Sequence, residues 1–203
     1  MARRTRRASA CLQRLENRWP HGLPGVDNRR VEVSFVKRAG GYDVRTTRDK
    51  PPVLAPRRGP GGRSRIPHDA AHMLVEIEDS LSGGVFGRIY DANGLDGLFW
   101  PADPAERRKA ARRPRRPTAG QVKDMERSEY LASLTSALWE VERGFAAPNP
   151  AWPGRTEDAD VKPDLLQRIF DRFDDFGTRW RSIPEGGEVT VVWVHPPSGV
   201  RGR

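Results

Sequence analysis

Cysteine occurs once in the 203 residues, at Cys11. A lone thiol excludes an internal disulfide and fits a reducing cytosol, which makes a cytoplasmic protein the expectation. No apolar run approaches the ~18 residues that a bilayer-spanning helix needs, so no membrane partner is expected. The opening MARRTRRASACLQRL has the basic start of a secretory leader. It lacks the apolar stretch of ~7–15 residues that would complete one, so it is not read as a leader. Lysine is also scarce, at five of the 36 basic residues. The excess of arginine is what GC-rich codon usage gives without selection for phosphate binding.

Chemical motifs are equally thin. GGVFGRI (83–89) lacks both the GxGxxG spacing and the Lys-Ser/Thr of a phosphate loop. No GxSxG surrounds Ser80 or Ser82, so neither is a nucleophile on a strained elbow. Cys11 has no neighbour that would activate it.

Apolar residues make up 36% of the chain, below the ~45–50% usual in globular domains. The deficit falls on three stretches rich in Arg, Pro and Gly: the N-terminal arm, 51–65 and 101–120. A basic arm over 1–28 and one folded domain over 29–203, with flexible segments at 51–65 and 101–120, is the expected organisation. The net charge of +9 is unevenly spread. Residues 1–30 and 105–120 each carry +6, whereas 67–104 carry −6. Arg107, Arg108, Arg112, Arg113, Arg115 and Arg116 are the candidate nucleic-acid contacts. Hardly an aromatic interleaves with them, Trp19 and Trp100 being single, so base stacking is excluded. What remains is phosphate contact, blind to sequence and weakened by salt.

The ordinarily globular pieces have clear periodicities. VEVSFVKRAGGYDVRTTRD (31–49) alternates, with Val31, Val33 and Phe35 on one face, and Gly40-Gly41 supplies a tight turn: a β-hairpin. A helix runs from Pro67 to about Leu81 and is stopped by Gly83-Gly84. VFGRIYDANG (85–94) reads as either a short helix or a strand. Asp103, Pro104 and Glu106 cap a short basic helix. Residues 123–144 place Leu131, Leu134, Leu138 and Val141 on one stripe, and 161–183 place Leu165, Ile169, Phe173, Phe176 and Trp180 on another. Phe170, Trp139 and Trp193 are expected in the same core. EVTVVWVHP (188–196) is a strand, apolar on both faces, which predicts a central or covered position. Helices and strands do not alternate strictly. The expected class is therefore α+β: a small antiparallel sheet, made of the N-terminal hairpin and the C-terminal strand, packed against three to four helices.

One segment carries possible chemistry. IPHDAAHMLVEIEDS contains two of the four histidines, four residues apart. On a wheel of ~100° per residue, His68, His72, Glu76, Asp69 and Asp79 share one arc, opposite Ala70, Met73, Leu74, Ile77 and Leu81. Imidazoles at i and i+4 have Cβ atoms ~5–6 Å apart and can reach one cation. His68, His72 and Glu76 are the candidate ligands for zinc or another divalent metal, with Asp69 orienting an imidazole from behind. The spelling HDxxH differs from the HExxH of zinc hydrolases, whose Glu activates the metal-bound water. An Asp falls short by one bond, so that mechanism does not carry over. His195 is a further candidate ligand whose position the sequence leaves open. The bland reading, that an amphipathic helix simply needs a wet arc, predicts no metal and no cofactor.

Pro67, His68, Asp69, His72 and Glu76, followed by a glycine-aromatic-glycine element and a closing RWRSIPEGGEVTVVWV, resemble a family of small uncharacterised bacterial proteins from high-GC organisms. The resemblance covers roughly 66–89 and 179–194, more weakly 31–37. It departs at Glu78-Asp79-Ser80, where Leu-Gly is expected. It supports the limits of the motif and implies no activity. Three functions follow as expectations: a binding role without a catalytic centre, a metal-dependent hydrolase built on HDAAH-x3-E, or non-specific nucleic-acid association.

Overall fold

A computed structural model of the chain describes residues 30–61, 64–91, 98–112, 116–148 and 161–194. The hairpin forms as the alternation requires: β1 (Arg30–Arg38) and β2 (Gly41–Arg48) pair antiparallel, with Phe35 opposite Val44 and Arg38 opposite Gly41. Gly40 takes φ 69° in the two-residue turn, a conformation that costs side-chain-bearing residues. β4 (Glu188–Val194) adds antiparallel to the other side of β1, and a two-residue β3 (Arg57–Arg58) adds to β2, for the order β3-β2-β1-β4. The class is α+β with a small antiparallel sheet.

Among the described residues four α-helices accompany the sheet: α1 (His68–Glu78), α2 (Pro104–Ala111), α3 (Ala119–Glu142) and α4 (Pro163–Ser182). Val31, Val33 and Phe35 from β1, Val44 from β2 and Val189 and Trp193 from β4 face inward onto the core. α4 buries all five residues of its predicted stripe, and Phe170 and Gly177 besides. Phe176 sets its ring edge-on to Phe35, 5.5 Å between centroids, which locks helix to sheet. Lys37, from β1, reaches the carbonyls of Trp180 and Ile183 at 2.9 and 3.0 Å and so caps the C-terminal end of α4. Phe170, Trp139 and Trp193 are buried as expected.

Two expectations are corrected. β4 is not central: among the described residues it is an edge strand, and Val192 and Val194 are exposed. β-branched residues favour extended backbone whether or not both faces are covered, so their run misreports burial. α1 ends earlier than its glycines suggest. Ser80 adopts φ 57° and the Leu81 amide bonds back to the Glu76 carbonyl at 2.9 Å, a Schellman stop made by serine, with Gly83-Gly84 lying beyond it. Of the two readings of 85–94, the short helix is the one found in the described part, as a three-residue 3₁₀ helix at Ile89–Asp91 preceded by turns. The connections at 51–65 and 101–120 are tied together where described. Leu54 bridges Pro101, Ala55 and Ala102 donate to the carbonyls of Trp100 and Val53, and α2 begins on an Asp103 cap. No helix among the described residues is long and apolar enough to cross a membrane.

Candidate metal centre

α1 is the helix that places the site, and its polar arc faces protein. Residues 69–76 are buried without interruption, His72 at 5% exposure and Glu76 at 0%. The partner across that arc is α3. Its buried face runs Ser128, Leu131, Ala132, Leu134, Thr135, Trp139, a rotation away from the predicted Leu138 and Val141, which are only partly covered. α3 starts on a capping box, the Thr118 hydroxyl and the Gln121 side chain each bonding the other's backbone amide. That start fixes which of its residues meet α1.

The two histidines converge. His68 Nε2 and His72 Nε2 lie 3.1 Å apart. The third member is Glu129, on α3, with Oε2 3.5 Å from His72 Nε2. One ligand atom from each of His68, His72 and Glu129 falls within 4.8 Å of the others. His68 and Glu129 are exposed and His72 is buried, so the cluster opens to solvent on one side. A cavity of about 310 Å³ adjoins it, lined by Ile66, Ala71 and Trp139 on its apolar side and by Ser133, Ser136 and Glu140 on its polar side.

Glu76 does not join the cluster. Both of its oxygens turn to the segment after α1: Oε1 accepts from the Val85 amide at 2.9 Å, and Oε2 from Phe86 and Gly87 at 2.8 and 3.1 Å. A fourth donor is the Ser128 hydroxyl, 2.9 Å from Oε1. The Glu76 carboxylate thus serves as the acceptor for three successive amides of the turn after α1. Burial pushes its pKa up to about 7, against the opposing pull of these four bonds. Ser128 Oγ is also 3.0 Å from His72 Nδ1. Burial lowers the His72 pKa, with Glu129 pulling the other way.

Asp69 is likewise elsewhere. It accepts from the Tyr42 hydroxyl at 2.8 Å and pairs with Arg57, which ties the start of α1 to β2 and β3. Tyr42 in turn accepts from the Asp69 amide at 3.1 Å, so the residue expected behind an imidazole serves as a clasp to the sheet. His195, Arg113 and Arg115 lie outside the described residues, as does the arm over 1–28. Arg107, Arg108 and Arg112 are exposed on or just after α2, and Arg116 is exposed before α3. Arg107 stacks its guanidinium 5.4 Å from the Trp100 ring centre.

Sequence reading found His68 and His72 and missed Ser128 and Glu129. The available signal was Ser128, a polar residue on the Leu131–Thr135 face: a buried hydroxyl requires a partner. The helix and sheet arrangement with a two-histidine, one-carboxylate cluster defines the class as an α+β protein with a candidate metal centre. No family model matches the chain, and neither a curated protein nor a solved structure matches it.

Proposed function

We propose that this protein binds a divalent transition metal, zinc or one of similar preference, through His68 Nε2, His72 Nε2 and the Glu129 carboxylate. The observation that carries this reading is the spacing of the ligand atoms. Two ligands at ~2.0–2.1 Å from a tetrahedral zinc stand about 3.3–3.4 Å apart; His72 Nε2 stands 3.1 and 3.5 Å from its two partners, and all three ligand atoms lie within 4.8 Å of one another. Two imidazoles and a carboxylate are also a ligand set that zinc accepts while keeping a fourth position for water or another ligand. Here that position is on the side of the cavity.

Hydrolysis by the HExxH scheme is not part of the proposal. Its base would be Glu76 or Asp69, and the first is held by three amides and a hydroxyl, the second by Tyr42 and Arg57. The metal is therefore read as bound for recognition or transport of a ligand at its open position.

Metal content of purified protein tests the proposal, comparing the wild type with His72→Ala and Glu129→Ala after equilibration with zinc. The expected outcome is one equivalent in the wild type and a loss of affinity of about 100-fold or more in His72→Ala. Equal and sub-stoichiometric zinc in all three would end it.

A further inference from the structure

Ser128 is almost fully buried in the middle of α3, between two charged or polar groups rather than among apolar ones. A serine hydroxyl carries one proton and two lone pairs. At pH 8.5 Glu76 is ionised and only accepts, so the 2.9 Å contact at Oε1 takes the Ser128 proton. Towards His72 Nδ1, 3.0 Å away, the same oxygen has only a lone pair to offer. Nδ1 must then be the protonated nitrogen of the neutral ring. Nε2 keeps its lone pair, and Nε2 is the atom that faces His68 and Glu129.

We infer that Ser128 is a positioning residue: anchored on Glu76, it holds His72 in the Nδ1–H tautomer and aims the Nε2 lone pair into the His68–Glu129 cluster. Glu76 is itself fixed by the amides of Val85, Phe86 and Gly87. The orientation of one imidazole is thereby referred back to rigid backbone. A buried group that accepts from the second ring N–H of a metal-binding imidazole raises its basicity and fixes its ring, and removing it costs about 10–100-fold in metal affinity. A second consequence concerns His68. With His72 Nε2 unprotonated, the 3.1 Å contact requires His68 Nε2 to donate in the metal-free protein. Metal binding moves that proton to His68 Nδ1 or to solvent, which the exposed ring permits.

The value of the tautomer for metal binding rests on the proposed function, whereas the tautomer itself belongs to the metal-free protein. The experiment is a long-range proton–nitrogen correlation spectrum of ¹⁵N-labelled full-length protein at pH 8.5 with chelator present. It reads which ring nitrogen carries hydrogen. His72 is expected with a protonated Nδ1 and a bare Nε2, and a protonated Nε2 overturns the inference. Two variants extend it. In Glu76→Gln an amide NH₂ presented to Ser128 reverses the donation, so the His72 signal is expected to switch to the Nε2–H form. In Ser128→Ala the ring is expected as a mixture, with zinc affinity down about 10–100-fold. Unchanged zinc affinity in Ser128→Ala would show that the hydroxyl positions nothing. An Nδ1–H tautomer in wild-type protein that takes up no zinc would support the relay and sink only the metal reading. An Nε2–H tautomer in the chelated protein that still takes up one equivalent of zinc on its return would do the reverse.

Discussion

Gly84 lies against the carboxylate of Glu76 so closely that a Cβ on it would stand 2.3 Å from the Glu76 Cδ. The missing side chain is what lets the carboxylate reach the three amides beyond it. Gly84→Ala is therefore expected to displace Glu76 and leave buried donors unpaired. Overpacking of ~1–3 kcal/mol and unsatisfied groups at a similar cost each add to about 3 kcal/mol or more. Urea unfolding would check this, and a loss below about 1 kcal/mol would mean the loop yields and the contact is not structural.

Glu76 also predicts an unusual pH dependence. Its pKa in the folded protein is raised to about 7 from an ordinary 4.5, chiefly by burial. The folded state thus holds the proton more tightly than the unfolded one. The associated stability is present below pH 4.5 and is lost as pH rises through 7, by about 3 kcal/mol. Most carboxylates give the opposite slope. His72, whose pKa is lowered, loses stability as pH falls below its ordinary 6.5, and so masks part of the trend. Making the comparison in a His72→Ala background removes the histidine. There the protein with Glu76 should lose about 3 kcal/mol relative to the one with Glu76→Gln between pH 4.5 and 8, and a flat difference would refute the raised value.

Ser80 ends α1 with φ 57° and is exposed. Left-handed backbone costs a non-glycine residue ~1–2 kcal/mol. Ser80→Gly should raise stability by about 1 kcal/mol, after the greater flexibility of glycine in the unfolded chain is subtracted. Thermal unfolding reads this directly, and a destabilised variant would mean that the hydroxyl has a role the backbone geometry does not reveal.

The exposed arginines at 107, 108, 112 and 116 predict binding to DNA or RNA only at low salt. Neutralising them together with Arg113 and Arg115 in protein lacking residues 1–25 should abolish that binding, and in unaltered protein its logarithm should fall linearly with that of salt concentration. Sequence-selective binding that persisted near 150 mM salt would contradict a purely ionic contact.

The sequence made some of this legible and concealed the rest. Strong periodicity sufficed for α4, where five apolar residues recur at helical spacing and all five are buried. The hairpin was equally plain, because alternation and Gly40 agree. The metal candidate was half visible. His68 and His72 are local, four residues apart on one helix, whereas Glu129 is brought in by the packing of α3 on α1, which no spacing encodes. Glu76 misled because a helix wheel gives direction and not partner. Its arc is right, yet the demand of three unpaired amides outweighs any claim of a metal. Asp69 misled likewise, since Tyr42 and Arg57 are remote in the chain.

Because α1 is covered along nearly its whole length, its amides can meet solvent only when the surrounding packing opens. In hydrogen–deuterium exchange the segment 70–76 should rank among the slowest in the molecule, exchanging through global unfolding and not through local fraying. His72 sits inside that block. His72 is thus held in place with or without a cation, so capture of the proposed metal would leave the fold as it was. If the proposed metal is bound, chelation should strip it without melting the protein.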